Sequence, residues 1–249
     1  MARKLALTRN NMGWAAEKPN QINQLFVDFC ATGACGENSP ALDIGAAYGL
    51  ATIAALEAGA NVIANDLDPT HLEEIVRRTP EESRQRLQLK AGKFPREIHF
   101  EPDTLGAIHA SNVFHFLTGN ELAYGIRNAA RWLRPGGKLF VQAATPYQAQ
   151  FASFIPEYER RMLAGVKWPG WVEKISRYSQ HKKLGAMPAS IHLLDVRTLV
   201  PLIEATGLTV ERAWLYQRDD FPRELRLDGR ESFGLVALKN KASIPTATT

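Results

Sequence analysis

The sequence holds only two cysteines among its 249 residues, Cys30 and Cys35. Two thiols five positions apart cannot build the multi-bridge framework of a small secreted domain, so the fold must rest on a hydrophobic core. The chain also lacks any apolar run of the roughly eighteen residues that a membrane-spanning helix needs. Leu5-Ala6-Leu7, close to the start, is too short for the apolar centre of a secretory signal. These absences make a cytoplasmic location the expectation. A strong excess of one charge is missing too: 30 Lys and Arg face 26 Asp and Glu, for a net charge of +4. The densest basic stretch, Arg77-Arg78 through Arg84, Arg86, Lys90, Lys93 and Arg96, is interrupted by Glu81 and Glu82. Dedicated nucleic-acid binders gather their charge on one face, so a solvated surface is the better reading and nucleic acid is not the expected partner.

What is present is an ordinary globular composition, 45% hydrophobic and 22% charged, and an alternation of two periods. Residues 1–39 read as an N-terminal arm and a helix, placed to act as a lid; Ile22, Leu25, Phe26 and Phe29 set the helical spacing over Gln21–Ala31. Short apolar runs follow at Ala41–Ile44, Asn61–Asp66, Arg86–Lys90, Leu105–Ser111 and Lys138–Ala143, each a candidate strand. Between them lie candidate helices at Leu50–Ala58, closed by Gly59, after Asp68-Pro69, and at Asn120–Leu133. The second of these has Asp at the cap, Pro in the first turn and Arg77-Arg78 in the last, an order that suits the helix dipole. The alternation predicts an α/β fold with a doubly wound, mostly parallel sheet over residues 40–240. It breaks at about 147–190, where aromatics without strand alternation predict a helical insertion. Asp195–Thr206 then reads as a capped helix, and Leu208–Tyr216 with Ser232–Lys239 as a closing antiparallel pair. The tail, 241–249, is small and polar and reads as disordered.

The most informative stretch joins the first strand to its helix: Asp43-Ile44-Gly45-Ala46-Ala47-Tyr48-Gly49. Glycines without Cβ atoms let the chain turn sharply and approach a ligand. Asp66, 23 residues beyond Asp43, ends the second strand, where a carboxylate can accept from both hydroxyls of a ribose. This D-x-G-x-A-x-G spacing resembles the first motif of class I, Rossmann-like, S-adenosylmethionine (SAM)-dependent methyltransferases. Arg134-Pro135-Gly136-Gly137 is similar to that family's turn into the fifth strand, and Leu202–Val210 with Ser232–Lys239 to its last helix and hairpin. The resemblance implies a seven-stranded sheet with an antiparallel C-terminal strand, and SAM as cofactor. It implies a cofactor site at Asp43, Gly45, Ala47, Gly49, Asp66, Leu67, Phe94 and Asn112. Lys93 stands where many relatives carry an acidic residue for adenine, which leaves the base to backbone groups and Phe94 or shifts the alignment there.

Methyl transfer is an SN2 displacement for which a protein mainly aligns the reactants and excludes water. Ser111-Asn112-Val113-Phe114 lacks the motif of base amino-methylation and the carboxylates of metal-dependent O-methylation, so no metal is expected; both cysteines precede the first strand, away from where an RNA-methylating nucleophile would lie. A small-molecule acceptor is left as the expected substrate. Trp14, Phe114, Trp168, Trp171 and Tyr178 are candidates for its aromatic wall, and His115, then His192 and Tyr147, for a general base. His71, on a helix surface, and His109, inside a strand, read as structural, and Asp195 as a helix cap rather than a partner for His192. Two other readings fit the motifs. An enclosed pocket could let the amine of SAM attack its own chain, releasing methylthioadenosine and an azetidine. A non-catalytic SAM- or RNA-binding module could also use the fold. Under any of these readings the chain could form a homodimer.

Overall fold

A computed structural model of the protein describes residues 19–179, 188–218, 221 and 223–241, together with the backbone of 6–7 and 14–15. Seven strands make one sheet: β1 (Ala41–Ile44), β2 (Val62–Asp66), β3 (Leu87–Ala91), β4 (Leu105–Ser111), β5 (Leu133–Ala144), β6 (Leu208–Tyr216) and β7 (Ser232–Lys239). Their spatial order is β6-β7-β5-β4-β1-β2-β3. Strands β1 to β5 run parallel, and β7 is antiparallel to both β5 and β6. Every residue of β1 and β2 is buried, as strands covered on both faces must be, which explains their small and branched apolar side chains.

Alternate residues feed two cores. Ala41, Val62, Ala107 and Phe140 face α1 (Gln21–Phe29) and α2 (Leu50–Glu57). Leu42, Ile63, Ile108 and Leu139 face α4 (Gly119–Trp132) and α6 (Val196–Glu204). A further helix, α3 (Pro69–Arg78), covers Ala64 through Leu72 and Ile75. Side chains set the starts of α1, α3, α4 and α6, whereas α2 follows Gly49 with no side-chain cap. Asn20 with Asn23, Thr118 with Glu121 and Asp195 with Thr198 form reciprocal capping boxes, and Asp68 caps α3.

The strand expected from Lys138 begins five residues earlier, at Leu133. Arg134-Pro135-Gly136-Gly137 is taken up in a register shift against β4, with Gly136 at φ 80°, instead of forming a separate turn. The insertion carries α5 (Ile155–Leu163) and a two-residue ladder pairing Trp171–Val172 with Ile191–His192. It has its own small core of Tyr147, Phe151, Phe154, Tyr158, Ile175 and Leu193, among others. Most aromatics of this segment therefore pack internally. Leu194 N–H donates to the Ala144 carbonyl and moors the insertion to the end of β5. Among the described residues no helix is long and apolar enough to cross a membrane.

Gly106 shows how tightly the N-terminal region is fitted to the sheet. A Cβ there would come within 2.5 Å of the carbonyl oxygens of both Ala34 and Ser39. These are backbone atoms and cannot swing aside, so Gly106→Ala is expected to cost about 2 kcal/mol and lower Tm by roughly 4–8 °C. A thermal melt indistinguishable from the parent would contradict this packing.

Candidate functional site

The turn after β1 carries three residues in the left-handed region: Gly45 at φ 65°, Ala47 at 48° and Gly49 at 76°. A side chain at Gly45 would place its Cβ 2.6 Å from Val113 Cγ2, so glycine is demanded there by space as well as by conformation. Ala47 has no such freedom, and its conformation persists only where surroundings hold it. Its N–H donates to Asp66 Oδ2 at 2.9 Å, while Ala46 N–H donates to the Asn65 carbonyl. The turn is thus fixed by the end of the neighbouring strand.

Beneath it, the parallel register sets Asp43 directly beside His109. His109 Nδ1 donates to Asp43 Oδ1 at 2.7 Å, and Thr52 Oγ1 on α2 donates to Oδ2 at 2.6 Å. The far side of the imidazole, Nε2, lies 3.3 Å from the Asn23 amide on α1, and Phe26 stacks on its face. Asp43 is 2% exposed. Its carboxylate is turned inward and braces the turn from below, instead of being presented to a ligand.

Asp66 is arranged differently. Besides the bond from Ala47, its Oδ1 accepts from Asp68 N–H at 2.9 Å, and His71 Nδ1 lies 3.2 Å away. The backbone donors fix the direction of both oxygens, and the residue is 5% exposed. Leu67 beside it is 46% exposed, an unpaired apolar surface next to a polar anchor. His71, expected on a helix surface, is 1% exposed, wedged between Asp66 and the edge of Tyr48. Its position on α3, three residues past the Asp68 cap, turns it towards β2. Lys93 is exposed, its N–H capped by Glu97.

Across the central gap between β1 and β4, Asn112 also has a positive φ, 61°. Its Oδ1 accepts from Gln142 Nε2 at 3.0 Å, and the fully buried Gln142 in turn accepts from Tyr216. Asn20, the cap of α1, donates to Ser111 Oγ at 3.1 Å. Gly45, Ala47, Gly49, Asp66, Leu67 and Asn112 are therefore gathered around the carboxyl ends of β1, β2 and β4, the topological switch point where open α/β sheets take ligands.

The remaining candidates are placed apart from that group. Phe94 and Phe114 stack in parallel, 6.1 Å between ring centres, inside the core under α4. With Phe94 only 5% exposed and Phe114 wholly buried, both fill space; neither forms an open wall. His115 Nδ1 accepts from Ala144 N–H at 3.3 Å, which removes the lone pair a base would need. Tyr147 Oη accepts from Arg197 at 2.7 Å within a cluster of Glu159 and Asp195, and burial raises its pKa further above the ordinary range. His192 Nδ1 lies 3.3 Å from the Leu117 carbonyl, with Trp168 and Trp171 edge-on to its ring. Trp168, Trp171 and Tyr178 do converge, lining one cleft in the insertion. Trp14 pairs through its backbone with Leu7, and its side chain lies outside the described residues.

Residues 41–137 match the family model of a methyltransferase domain. The whole fold is similar to a SAM-dependent methyltransferase from Methanosarcina mazei, with a TM-score of 0.61 at 14% identity over 84% of this chain and 96% of that one. The chain has the class I methyltransferase fold, and residues 41–137 carry the sequence pattern of a methyltransferase domain. This methyltransferase fold is also similar to an S-adenosylmethionine-dependent methyltransferase from Mesorhizobium loti (TM-score 0.57, 17% identity, 84% and 95% covered). It is likewise similar to the magnesium protoporphyrin IX methyltransferase of Synechocystis, solved with bound SAH (TM-score 0.56, 13% identity, 88% and 81% covered). A search of curated proteins gives no match.

The two histidines near the loops are unprotonated at neutral pH. Burial, aided by the charge of Arg218, pushes His115 down to about 3, and burial pushes His192 down to about 4. Unfolding returns both to about 6.5. The unfolded chain then binds more protons at acid pH, so stability is complete above about pH 6.5 and is lost as pH falls towards 4. Denaturant titrations across that range should show a steep loss that His115→Asn and His192→Asn each flatten. An unaltered slope in both variants would refute the buried neutral state.

Proposed function

We propose that this chain binds SAM across the carboxyl ends of β1 and β2 and transfers its methyl group to a small-molecule acceptor held between the β4–α4 loop and the insertion. The observation that carries the reading is the pairing of a positive-φ turn with a carboxylate already aimed by Ala47 and Asp68 amides. Such a carboxylate suits two adjacent hydroxyls of a ribose. The residues fit the cofactor in kind as well. The turn lacks side chains at Gly45 and Gly49, and Leu67 offers an exposed apolar face of the sort a purine covers. Bound SAM would supply a methyl carbon already activated by its sulfonium.

The work left to the protein is alignment and exclusion of water. Gly45, Ala47 and Gly49 would allow close approach of the amino-acid tail, and Asp43 would hold their turn through Thr52 and His109. Asn112, oriented by Gln142 and Tyr216, would stand at the reacting end. His115 and Tyr147 have their reactive atoms engaged. His192, whose Nδ1 donates to the Leu117 carbonyl, keeps its lone pair on Nε2, but burial holds its pKa down to about 4. This favours an acceptor that reacts through an already available lone pair or anion.

Asp66→Ala should weaken SAM binding at least tenfold by calorimetry, while Asp66→Glu retains part of it. Full affinity in Asp66→Ala would remove the ribose contact on which the reading stands. Incubation of the protein with SAM alone, followed by mass spectrometry, should return SAM intact. Release of methylthioadenosine would mean that SAM itself is the substrate, and methyl transfer would be abandoned.

A further inference from the structure

The insertion contains a cleft of about 370 Å³, a volume suited to a small organic molecule. Its walls are aromatic: Trp168, Trp171 and Tyr178 are all partly exposed there. Its rim is cationic. Lys167, Lys174 and Arg177 are exposed around it, and Lys167 Nζ lies 5.4 Å from the centre of the Trp168 ring, so its charge is held over the aromatic face. Arg161 also lines the cleft, but its charge is matched by Glu157 at 2.8 Å, and its Nη1 donates to the Trp171 carbonyl. That anchors the wall. Among the described residues Glu173 is the only carboxylate of the lining and none of Lys167, Lys174 and Arg177 has an ion-pair partner, so three positive charges there face one negative charge. Aromatic walls lower the local dielectric and strengthen attraction for an opposite charge.

One wall of the cleft packs on the segment that leaves β4. Trp168 packs so closely on Gly119, the first residue of α4, that a Cβ there would meet its ring at 2.1 Å. His192, between Trp168 and Trp171, reaches the Leu117 carbonyl in the segment that begins at Asn112. One wall of the cleft is therefore built on the loop leaving the carboxyl end of β4.

We infer that the acceptor is a planar aromatic anion, its ring held by Trp168, Trp171 and Tyr178 and its carboxylate or phosphate by Lys167, Lys174 and Arg177. This rests on the methyl-transfer reading for the word acceptor, and on the cleft alone for the ligand class. The test titrates three probes of matched shape into the protein: 1-naphthylacetate, 1-naphthyl phosphate and uncharged 1-naphthylacetamide. The better-bound anion should exceed the amide at least tenfold in affinity, and the ranking of the two anions tells carboxylate from phosphate. The preference should vanish in Lys167→Glu/Lys174→Glu and shrink when salt is raised about tenfold on the unaltered protein. The salt arm serves if the variant does not fold. Equal binding of amide and anions, no binding of any probe, or indifference to salt would overturn the assignment. SAM affinity is measured on the same samples: SAM binding without anion preference sinks this inference alone, and anion preference without SAM binding sinks the methyl-transfer reading alone.

Discussion

Asp43, one residue from the end of the central strand, has both carboxylate oxygens bonded inside the protein, one to His109 on β4 and one to Thr52 on α2. A buried ionised carboxylate costs several kcal/mol unless neighbours neutralise it, and removing one partner from such a pair typically costs about 3–5 kcal/mol. The requirement ties three elements to one point. The parallel register of β1 and β4 must put His109 opposite Asp43, α2 must start where Thr52 reaches back, and α1 must bring Asn23 to the far nitrogen of the imidazole. With those fixed, the strained turn from Gly45 to Gly49 has a firm base below. Asp66 then holds it from the side through Ala47.

The same logic extends across the sheet. Asn112 is the counterpart of Ala47 on the other side of the switch point, another residue with a side chain in a left-handed conformation. It too is held by buried polar groups, Gln142 and Tyr216, contributed by the strands at its side. This end of the sheet is thus built from short loops whose shape is stored in strand-borne side chains, an arrangement that preorganises a site without a rigid loop sequence.

Much of this was legible in the sequence because it is local. Leu105–Ser111, Leu208–Tyr216 and Ser232–Lys239 are strands over the very residues that their apolar runs indicate, and Asp68, Asp195 and Gly49 sit where caps and turn residues belong. The spacing from Asp43 to Asp66 marked the turn after β1 and the end of β2 for the same reason. What was not legible depends on register and on pairs far apart in the chain. Nothing local to His109 announces Asp43, 66 positions away, and His71 looked like a surface residue until the docking of α3 buried it against Asp66. His115 and Tyr147 had the right chemistry for a base, but partners at Ala144 and Arg197, distant in sequence, occupy their reactive atoms. The aromatics of the insertion divide by the same rule: Phe151, Phe154 and Tyr158 supply a core that composition alone cannot distinguish from a binding wall.

The central claim is that the turn braced by Asp43 and the strand end at Asp66 form one nucleoside-binding unit. Hydrogen–deuterium exchange with and without SAM tests it directly, because the amides of Ala47 and Asp68 are bonded to the Asp66 carboxylate that the ligand would engage. The account predicts added protection concentrated in residues 45–49 and 66–68, with a smaller effect at 111–113. Binding that left these segments unchanged and protected another part of the chain would contradict it.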